Sequence, residues 1–121
     1  MGYRSDVVAV FYAPHDKAAA LKLYVDENFP EELKGCLRPI KNSQHEGYMF
    51  SDSDVKWYSD YPEVKAFDKF VEDFRELANK EEVMWAYEFA RIGENTEDIE
   101  EDSSDYADRE LYVNRTIESN F

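Results

Sequence analysis

Hydrophobic residues in the second half of the chain recur at helical spacing. Between residues 62 and 79 they fall three or four positions apart, as they do on one face of an α-helix. These positions are Val64, Phe67, Phe70, Val71, Phe74, Leu77 and Ala78. Pro62 stands at the first helical position, where its missing N–H costs nothing. Glu63 adds a negative charge to the first turn, which the helix dipole favours. The stretch therefore predicts an amphipathic helix whose phenylalanines face the core.

Four other stretches carry the pattern of β-strands. Residues 5–13 are β-branched or aromatic on both faces, which indicates a central strand. Residues 82–92 alternate two sets of side chains, as a strand does. A shorter strand is predicted at 36–41, where Pro39 restricts it to an edge or a bulge. Residues 48–59 predict two short strands or one bent strand.

The remaining elements complete a mixed order of helices and strands. A first helix is predicted up to Phe29, with Asp16 in its first turn. Residues 106–117 predict a last strand that pairs with strand 82–92 around an acidic hairpin loop at 93–105. The order is β-α-β-β-α-β-β. It predicts an α+β fold in which two helices cover one face of an antiparallel sheet, a ferredoxin-like arrangement with an added C-terminal strand.

Composition limits the class of protein. The chain of 121 residues is expected to form one domain, residues 1–121, and its 43% apolar residues suffice for a core. Cys36 is the only cysteine, so we expect neither a disulfide framework nor a thiolate zinc site. The first residues lack the long apolar segment of a signal peptide. No apolar run approaches the ~20 residues of a membrane span. We therefore expect a cytosolic protein.

Charge is the strongest departure from an ordinary composition. The chain carries 28 acids against 14 Lys and Arg, a net charge of −14. The excess is uneven, because residues 1–60 hold 10 acids and 7 bases while residues 61–121 hold 18 and 7. Such a field repels nucleic acid and anionic membranes and attracts basic surfaces. We therefore expect a basic protein partner and no direct binding to DNA or RNA. The alternative is that the acidity serves only solubility.

The acids between residues 94 and 105 form the densest cluster, and no base lies among them. The cluster lacks the ligand spacing and the glycine of an EF-hand calcium loop. It is either a solvated loop or a surface for a basic partner. Asp108 and Glu110 follow on the predicted strand, where acids two positions apart lie about 6.6 Å apart on one face. The partner-binding candidates here are Glu97, Asp98, Glu100, Glu101, Asp102, Asp105, Asp108 and Glu110.

Aromatic residues between carboxylates mark a second candidate surface. On an extended backbone Trp57 faces the core, while Tyr58 points the opposite way. Tyr58 and Tyr61 are expected near the surface. The acids around them are Asp52, Asp54, Asp60 and Glu63. Aromatic rings and carboxylates together suit arginine, which stacks on the ring and pairs with the acid.

No arrangement of residues predicts catalysis. His15 and His45 are the only histidines, and both are expected on surface turns, without a nucleophile or an oxyanion hole. No glycine-rich loop is present to hold a phosphate. We expect no enzyme and no cofactor. An enzyme that holds a metal through Asp52 and Asp54 is the remaining catalytic hypothesis.

Three stretches of the chain resemble a known group of proteins. The opening "MGYRSDV" and the segment "VKWYSDYPEV", followed by an amphipathic helix, resemble a family of small acidic proteins encoded by tailed bacteriophages. The section "RIGENTEDIEEDSSD" is similar to the acidic hairpin of that family. The family offers no catalytic residues to transfer. The resemblance implies a protein of the cytoplasm of the infected bacterial host.

Proteins of that kind are often host-takeover factors. Some antagonise CRISPR or restriction machinery, and several imitate the charge of DNA. The hypothesis is therefore an acidic inhibitor that binds a basic, nucleic-acid-handling host protein. The alternative is a phage structural or regulatory interaction module whose acidity serves solubility only.

Overall fold

Two α-helices and seven strands make up the described part of the fold. The structure, a computed structural model, describes residues 3–80, 83–94, 97–104, 107–114 and 116–121. The elements are β1 (Ser5–Pro14), α1 (Ala18–Asn28), β2 (Leu37–Lys41), β3 (His45–Val55), α2 (Pro62–Ala78), β4 (Ala86–Gly93), β5 (Ile99–Ser103), β6 (Leu111–Asn114) and β7 (Thr116–Ser119). Two short 3₁₀ helices, His15–Lys17 and Glu31–Cys36, precede α1 and β2. No helix in the described part of the chain is long and apolar enough to cross a membrane.

The central sheet has five strands in the order β2-β3-β1-β4-β5, and every neighbouring pair is antiparallel. Helix α1 joins β1 to β2, and α2 joins β3 to β4, so that each connection passes one intervening strand. The first four strands and the two helices therefore have the ferredoxin-like arrangement. The predicted α+β fold is confirmed, and β5 is the strand added beside β4.

Aromatic packing fills the space between the sheet and the helices. Phe11 of β1 is fully buried at its centre, with ring centroids of Phe70 and Phe74 5.3 and 5.2 Å away. The hydrophobic face predicted for α2 is the face that packs here. Its buried residues are Val64, Phe67, Phe70, Phe74 and Ala78. The spacing of apolar residues therefore identified both the helix and its buried face.

A second hydrophobic cluster covers the opposite face of the sheet. It contains Val10, Tyr12 and Met49 from the sheet and Leu111 from β6, and β6 pairs with β7 in a hairpin. The sheet therefore lies between two helices on one side and this C-terminal hairpin on the other.

The prediction that residues 106–117 pair with strand 82–92 is wrong. Strand β4 pairs instead with β5, which lies inside the segment 93–105 predicted as an acidic hairpin loop. Ion pairs from Arg75 and Arg91 neutralise part of the acidic strand. Leu111 is buried on the second face of the sheet, with 7% exposure, and Ile117 and Phe121 are partly buried against the same cluster.

Strand β3 is one continuous strand with an irregularity near its end. It begins at His45, three residues before the predicted start. Ser5 pairs with Val55 and Val7 with Asp52, so β3 holds one extra residue there, a β-bulge. Asp54 in the bulge has a left-handed backbone, with φ 56°. The strand ends at Val55, and residues 57–60 form the segment that leads to the first residue of α2, Pro62.

Candidate functional site

A cleft of 620 Å³ lies between α2 and the strands β4 and β5, with residues 57–60 along one wall. We call it the acidic cleft. Its lining residues are Tyr3, Trp57, Tyr58, Ser59, Asp60, Val64, Phe67, Asp68, Val71, Tyr87, Phe89, Arg91, Asp98, Glu100 and Asp102. Five carboxylates and one arginine stand around walls that are largely aromatic. This arrangement suits a positively charged side chain, because the rings and the carboxylates both attract a cation.

Strand pairing decides which acids of β5 face the cleft. Glu100 is paired with Arg91 and Asp102 with Phe89, and cross-strand partners lie on the same face of a sheet. Glu100 and Asp102 therefore point to the helix side. Glu101 alternates to the other side, where it lines a separate pocket of 300 Å³ with Leu111. Two acids two positions apart thus form a short row of charge on β5.

Arg91 forms hydrogen bonds with several residues at the back of the cleft. Its guanidinium donates to both carboxylate oxygens of Asp98 at 2.8 and 3.2 Å, to Glu100 at 3.1 Å and to the Ser5 hydroxyl at 3.1 Å. The hydrogen bond from Arg91, followed by the one from the Tyr3 hydroxyl, lowers the pKa of Asp98. The hydrogen bond to Asp98 in turn raises the pKa of Arg91. These charges are held in fixed positions and compensate one another.

Arg75 on α2 makes the second link across the cleft. It donates to the Asp102 carboxylate at 2.6 Å and to the backbone carbonyl of Ser103 at 3.1 Å. The guanidinium carbon lies 5.7 Å from the centre of the Tyr87 ring, within the range of a cation–π contact. The rim of the cleft therefore already holds one guanidinium between a carboxylate and an aromatic face.

Asp60 and Asp68 carry the remaining charge of the cleft. Within the described ranges neither carboxylate has an ion-pair or hydrogen-bond partner, and both residues are exposed. Burial, and then the charge of Glu100, raises the pKa of Asp68. A cation placed beside Asp68 would oppose both effects on its pKa, because a nearby opposite charge favours the ionised carboxylate.

Tyr3 connects the two surfaces that were predicted separately. Its backbone N–H donates to the Tyr58 hydroxyl, and its own hydroxyl donates to Asp98 at 2.6 Å. Tyr58 and Asp60 from the aromatic segment therefore line one cleft with Asp98, Glu100 and Asp102. Trp57 lines it as well, so the expectation that Trp57 and Tyr58 point to opposite faces of one strand is wrong. The strand ends at Val55, and its alternation does not continue.

The other acids of the aromatic segment belong to a neighbouring pocket. Asp52, Asp54, Tyr61 and Glu63 line a pocket of 320 Å³ together with Arg4. The Arg4 guanidinium donates to the Asp54 backbone carbonyl at 3.0 Å, and the Asp54 N–H donates to Asp6 at 2.9 Å. Trp57 lines both spaces and separates them.

Asp52 and Asp54 belong to no group of potential metal ligands among the described residues. In the part of the chain that the structure describes, no group of three or more His, Cys, Asp or Glu side chains is placed to hold a metal ion.

Asp108 and Glu110 do not form the predicted exposed row. Glu110 is 7% exposed, and its carboxylate accepts a hydrogen bond from the Asn42 side chain. Asp108 lies 3.0 Å from Nε2 of His45. These acids precede β6 in the chain, and the fold places them against the second face of the sheet. Of the other candidates, Glu97 lies in the β4–β5 turn outside the cleft, and Asp105 lies outside the described residues.

A buried polar cluster under the C-terminal hairpin was not predicted. Glu88 is 3% exposed and accepts hydrogen bonds from the Tyr12 hydroxyl and from the N–H groups of Glu110 and Leu111. His45, expected on a surface turn, is 7% exposed, and its ring lies 4.9 Å from that of Tyr12. Every hydrogen bond to Glu88 spans more than 20 positions, so no local pattern could identify the cluster.

Sequence reasoning also missed Asp68, Arg75, Tyr87 and Arg91 as residues of the cleft. A signal was present for two of them. Tyr87 and Arg91 alternate with Phe89 on the core-facing side of β4, and a charged residue at the end of such a face needs an ion-pair partner. The acids that follow in the sequence are the nearest candidates for that partner.

Comparison with known proteins returned no relative. A scan against protein-family models, a search of curated proteins and a search of solved structures each found no match to this chain.

Proposed function

We propose that the protein is a phage-encoded inhibitor that acts in the cytoplasm of the infected bacterium. It acts by binding rather than by catalysis, and its partner is a basic host protein that handles nucleic acid. CRISPR and restriction proteins are the class of target, and the negative charge competes with DNA for the same basic surface.

The acidic cleft is the observation that carries this proposal. It combines five carboxylates, an aromatic lining and two ion-paired arginines in one place on a chain of net charge −14. Complementary charge accelerates association and discriminates against neutral partners. Aromatic residues near the centre of a contact contribute a large share of binding energy. A basic protein surface supplies the complementary charge, and its arginine side chains can pack on the aromatic residues.

Capture from a bacterial lysate tests the proposal. The tagged protein should retain basic nucleic-acid-binding proteins, and the double variant Asp60→Asn/Asp68→Asn should retain much less of them. The matched control is Glu27→Gln/Glu32→Gln, which removes the same charge at exposed positions outside the cleft. Addition of the wild-type protein should also displace duplex DNA from the captured partner in a gel-shift assay.

Two results would contradict the proposal. One is that both double variants capture the same partner equally well in high salt. That result would favour the alternative, an interaction module whose acidity serves only solubility. The other is a captured partner that keeps its DNA in the presence of excess protein.

A further inference from the structure

The acidic cleft offers more hydrogen-bond acceptors than donors. The carboxylates of Asp60 and Asp68 have no partner within the described ranges, whereas Arg91 gives its donors to Asp98, Glu100 and Ser5. An additional ligand in the cleft must therefore bring donors.

Tyr87 adds an independent observation. Its side chain is buried, with 3% exposure, and it lines the cleft, yet its hydroxyl has no hydrogen-bond partner among the described residues. Nδ1 of His45 is the one side-chain atom among the described residues that is fully buried without a partner, so the Tyr87 hydroxyl is open to the space of the cleft, where a ligand can reach it. Burial, followed by the charge of Asp102, raises the pKa of Tyr87 well above its usual range, so the hydroxyl stays neutral.

Arg75 shows which chemical group fits this environment. Its guanidinium pairs with a carboxylate of β5 and lies over the Tyr87 ring. A planar guanidinium carries five donors and no acceptor, and it is weakly hydrated. A lysine ammonium is compact and strongly hydrated, and it lacks the flat face that stacks on an aromatic ring.

We infer that the acidic cleft binds an arginine side chain of the partner in preference to lysine. The guanidinium lies between Asp60 and Asp68, against the Trp57 and Tyr58 rings, with the Tyr87 hydroxyl as a further acceptor. The volume of 620 Å³ falls within the usual range of ligand pockets, about 300–1,000 Å³, and also admits the adjoining peptide backbone. This inference rests on the proposed function, which supplies the basic partner.

Titration of the full-length ¹⁵N-labelled chain with N-acetyl-arginine amide tests the inference. The expected result is a saturable shift of NMR signals from the Trp57 indole and from the amides of Asp68 and Tyr87. N-acetyl-lysine amide should bind about three- to tenfold more weakly, because it loses the stacking and the fork of donors. N-acetyl-citrulline amide, which has nearly the same shape without charge, should give no saturable shift. Equal affinity for the arginine and lysine amides, or shifts spread evenly over the acidic surface, would overturn the inference.

Variants locate the binding groups. Asp60→Asn/Asp68→Asn should abolish saturation, and Glu27→Gln/Glu32→Gln should leave the arginine affinity unchanged. Tyr87→Phe removes only the hydroxyl and should weaken arginine binding about ten- to a hundredfold, the effect of one lost hydrogen bond to a charged group. Unchanged arginine affinity in Asp60→Asn/Asp68→Asn contradicts the assignment. Equal losses of arginine affinity in both double variants also contradict the assignment, because the loss of net charge alone would then explain them.

The inference and the proposed function can fail separately. If the arginine amide does not bind but a basic host protein is still captured through Asp60 and Asp68, the inference alone is wrong. If the arginine amide binds in the cleft and no basic nucleic-acid-binding protein is captured, the proposed function alone is wrong.

Discussion

At the scale of single residues, neighbouring aromatics of the cleft are held by different forces. The Trp57 ring packs against the core, with its centroid 5.8 Å from Phe50 and 5.3 Å from Phe67. Tyr58 instead accepts a hydrogen bond from the Tyr3 N–H and has its ring 5.0 Å from Tyr61. Trp57 therefore connects the cleft wall to the core, and Tyr58 connects it to the N-terminal residues.

This difference predicts unequal effects on stability. Trp57→Ala should lower the free energy of unfolding by about 2–3 kcal/mol, below the about 3–5 kcal/mol of a fully buried aromatic, because Trp57 is half-buried. Tyr58→Phe removes one acceptor and should cost about 1 kcal/mol or less. Urea denaturation of both variants measures these values. A larger loss for Tyr58→Phe would show that packing on the core is not the main support of this wall.

Glu46 of β3 connects the sheet to α1. Its carboxylate lies 2.9 Å from Nζ of Lys22 and 2.7 Å from Nδ1 of His15. The hydrogen bond from Lys22, and then the one from His15, lowers the pKa of Glu46 from 4.5 to about 2. A carboxyl group whose pKa is lower in the folded state stabilises the fold above its unfolded pKa. That stability is lost as the pH falls towards the folded pKa.

We therefore predict a pH-dependent effect of Glu46→Gln. The variant should melt below the wild type at pH values above 4.5, and the difference should shrink as the pH falls to about 2. Melting curves across this range measure the difference. Glu27→Gln is the control, because the exposed Glu27 has no ion-pair partner among the described residues. A difference that stays constant with pH would show that the contribution of Glu46 does not depend on its charge.

At the scale of elements, polar contacts attach the C-terminal hairpin to the sheet. Glu88 of β4 accepts two backbone hydrogen bonds from the segment that leads into β6, at 2.8 and 2.9 Å. The Tyr12 hydroxyl donates to Glu88 and accepts from the Asp108 N–H at 2.7 Å. One buried carboxylate and one phenol thus satisfy three backbone donors at the start of the hairpin.

Removal of the Tyr12 hydroxyl should loosen this hairpin. Tyr12→Phe leaves the Asp108 N–H without its acceptor and Glu88 without one donor, at a cost of about 1–3 kcal/mol. Hydrogen exchange should show faster exchange at the amides of Asp108, Glu110 and Leu111 than in the wild type, with little change in β1 and β3. Equal acceleration throughout the sheet would mean that the hairpin does not open separately from the rest.

The same elements show what the sequence could and could not reveal. Helix α2 was predictable with its buried face, because seven apolar residues repeat at helical spacing and the core uses that repeat. Strand β5 was not, because every residue of Ile99–Ser103 is exposed and its strand geometry comes from pairing with β4. Asp98, Glu100 and Asp102 of the cleft were named from charge density. Their convergence with Tyr58 and Asp60 depends on contacts between distant parts of the chain, which no local pattern records.

At the scale of the whole molecule, charge is distributed unequally between the two edges of the sheet. The edge strand β5 carries Glu100, Glu101 and Asp102, while the opposite edge strand β2 carries Arg38 and Lys41. The cleft adjoins the acidic edge. The charge of this edge attracts positively charged groups towards the side of the molecule where the aromatic residues of the cleft lie, and it repels phosphate groups.

Two contributions to binding, long-range attraction and local contact, should separate in the kinetics. The double variants Asp60→Asn/Asp68→Asn and Glu27→Gln/Glu32→Gln lose the same formal charge, so both should slow the association of an arginine-rich peptide at low salt. Salt should remove that slowing, because screening reduces the reach of the field to about 8 Å at physiological ionic strength. Faster dissociation should appear only in Asp60→Asn/Asp68→Asn, because Asp60 and Asp68 line the cleft and Glu27 and Glu32 do not. Stopped-flow measurements at several salt concentrations give both rates. Unchanged dissociation from that variant would mean that the peptide is held by the overall field and not by the cleft.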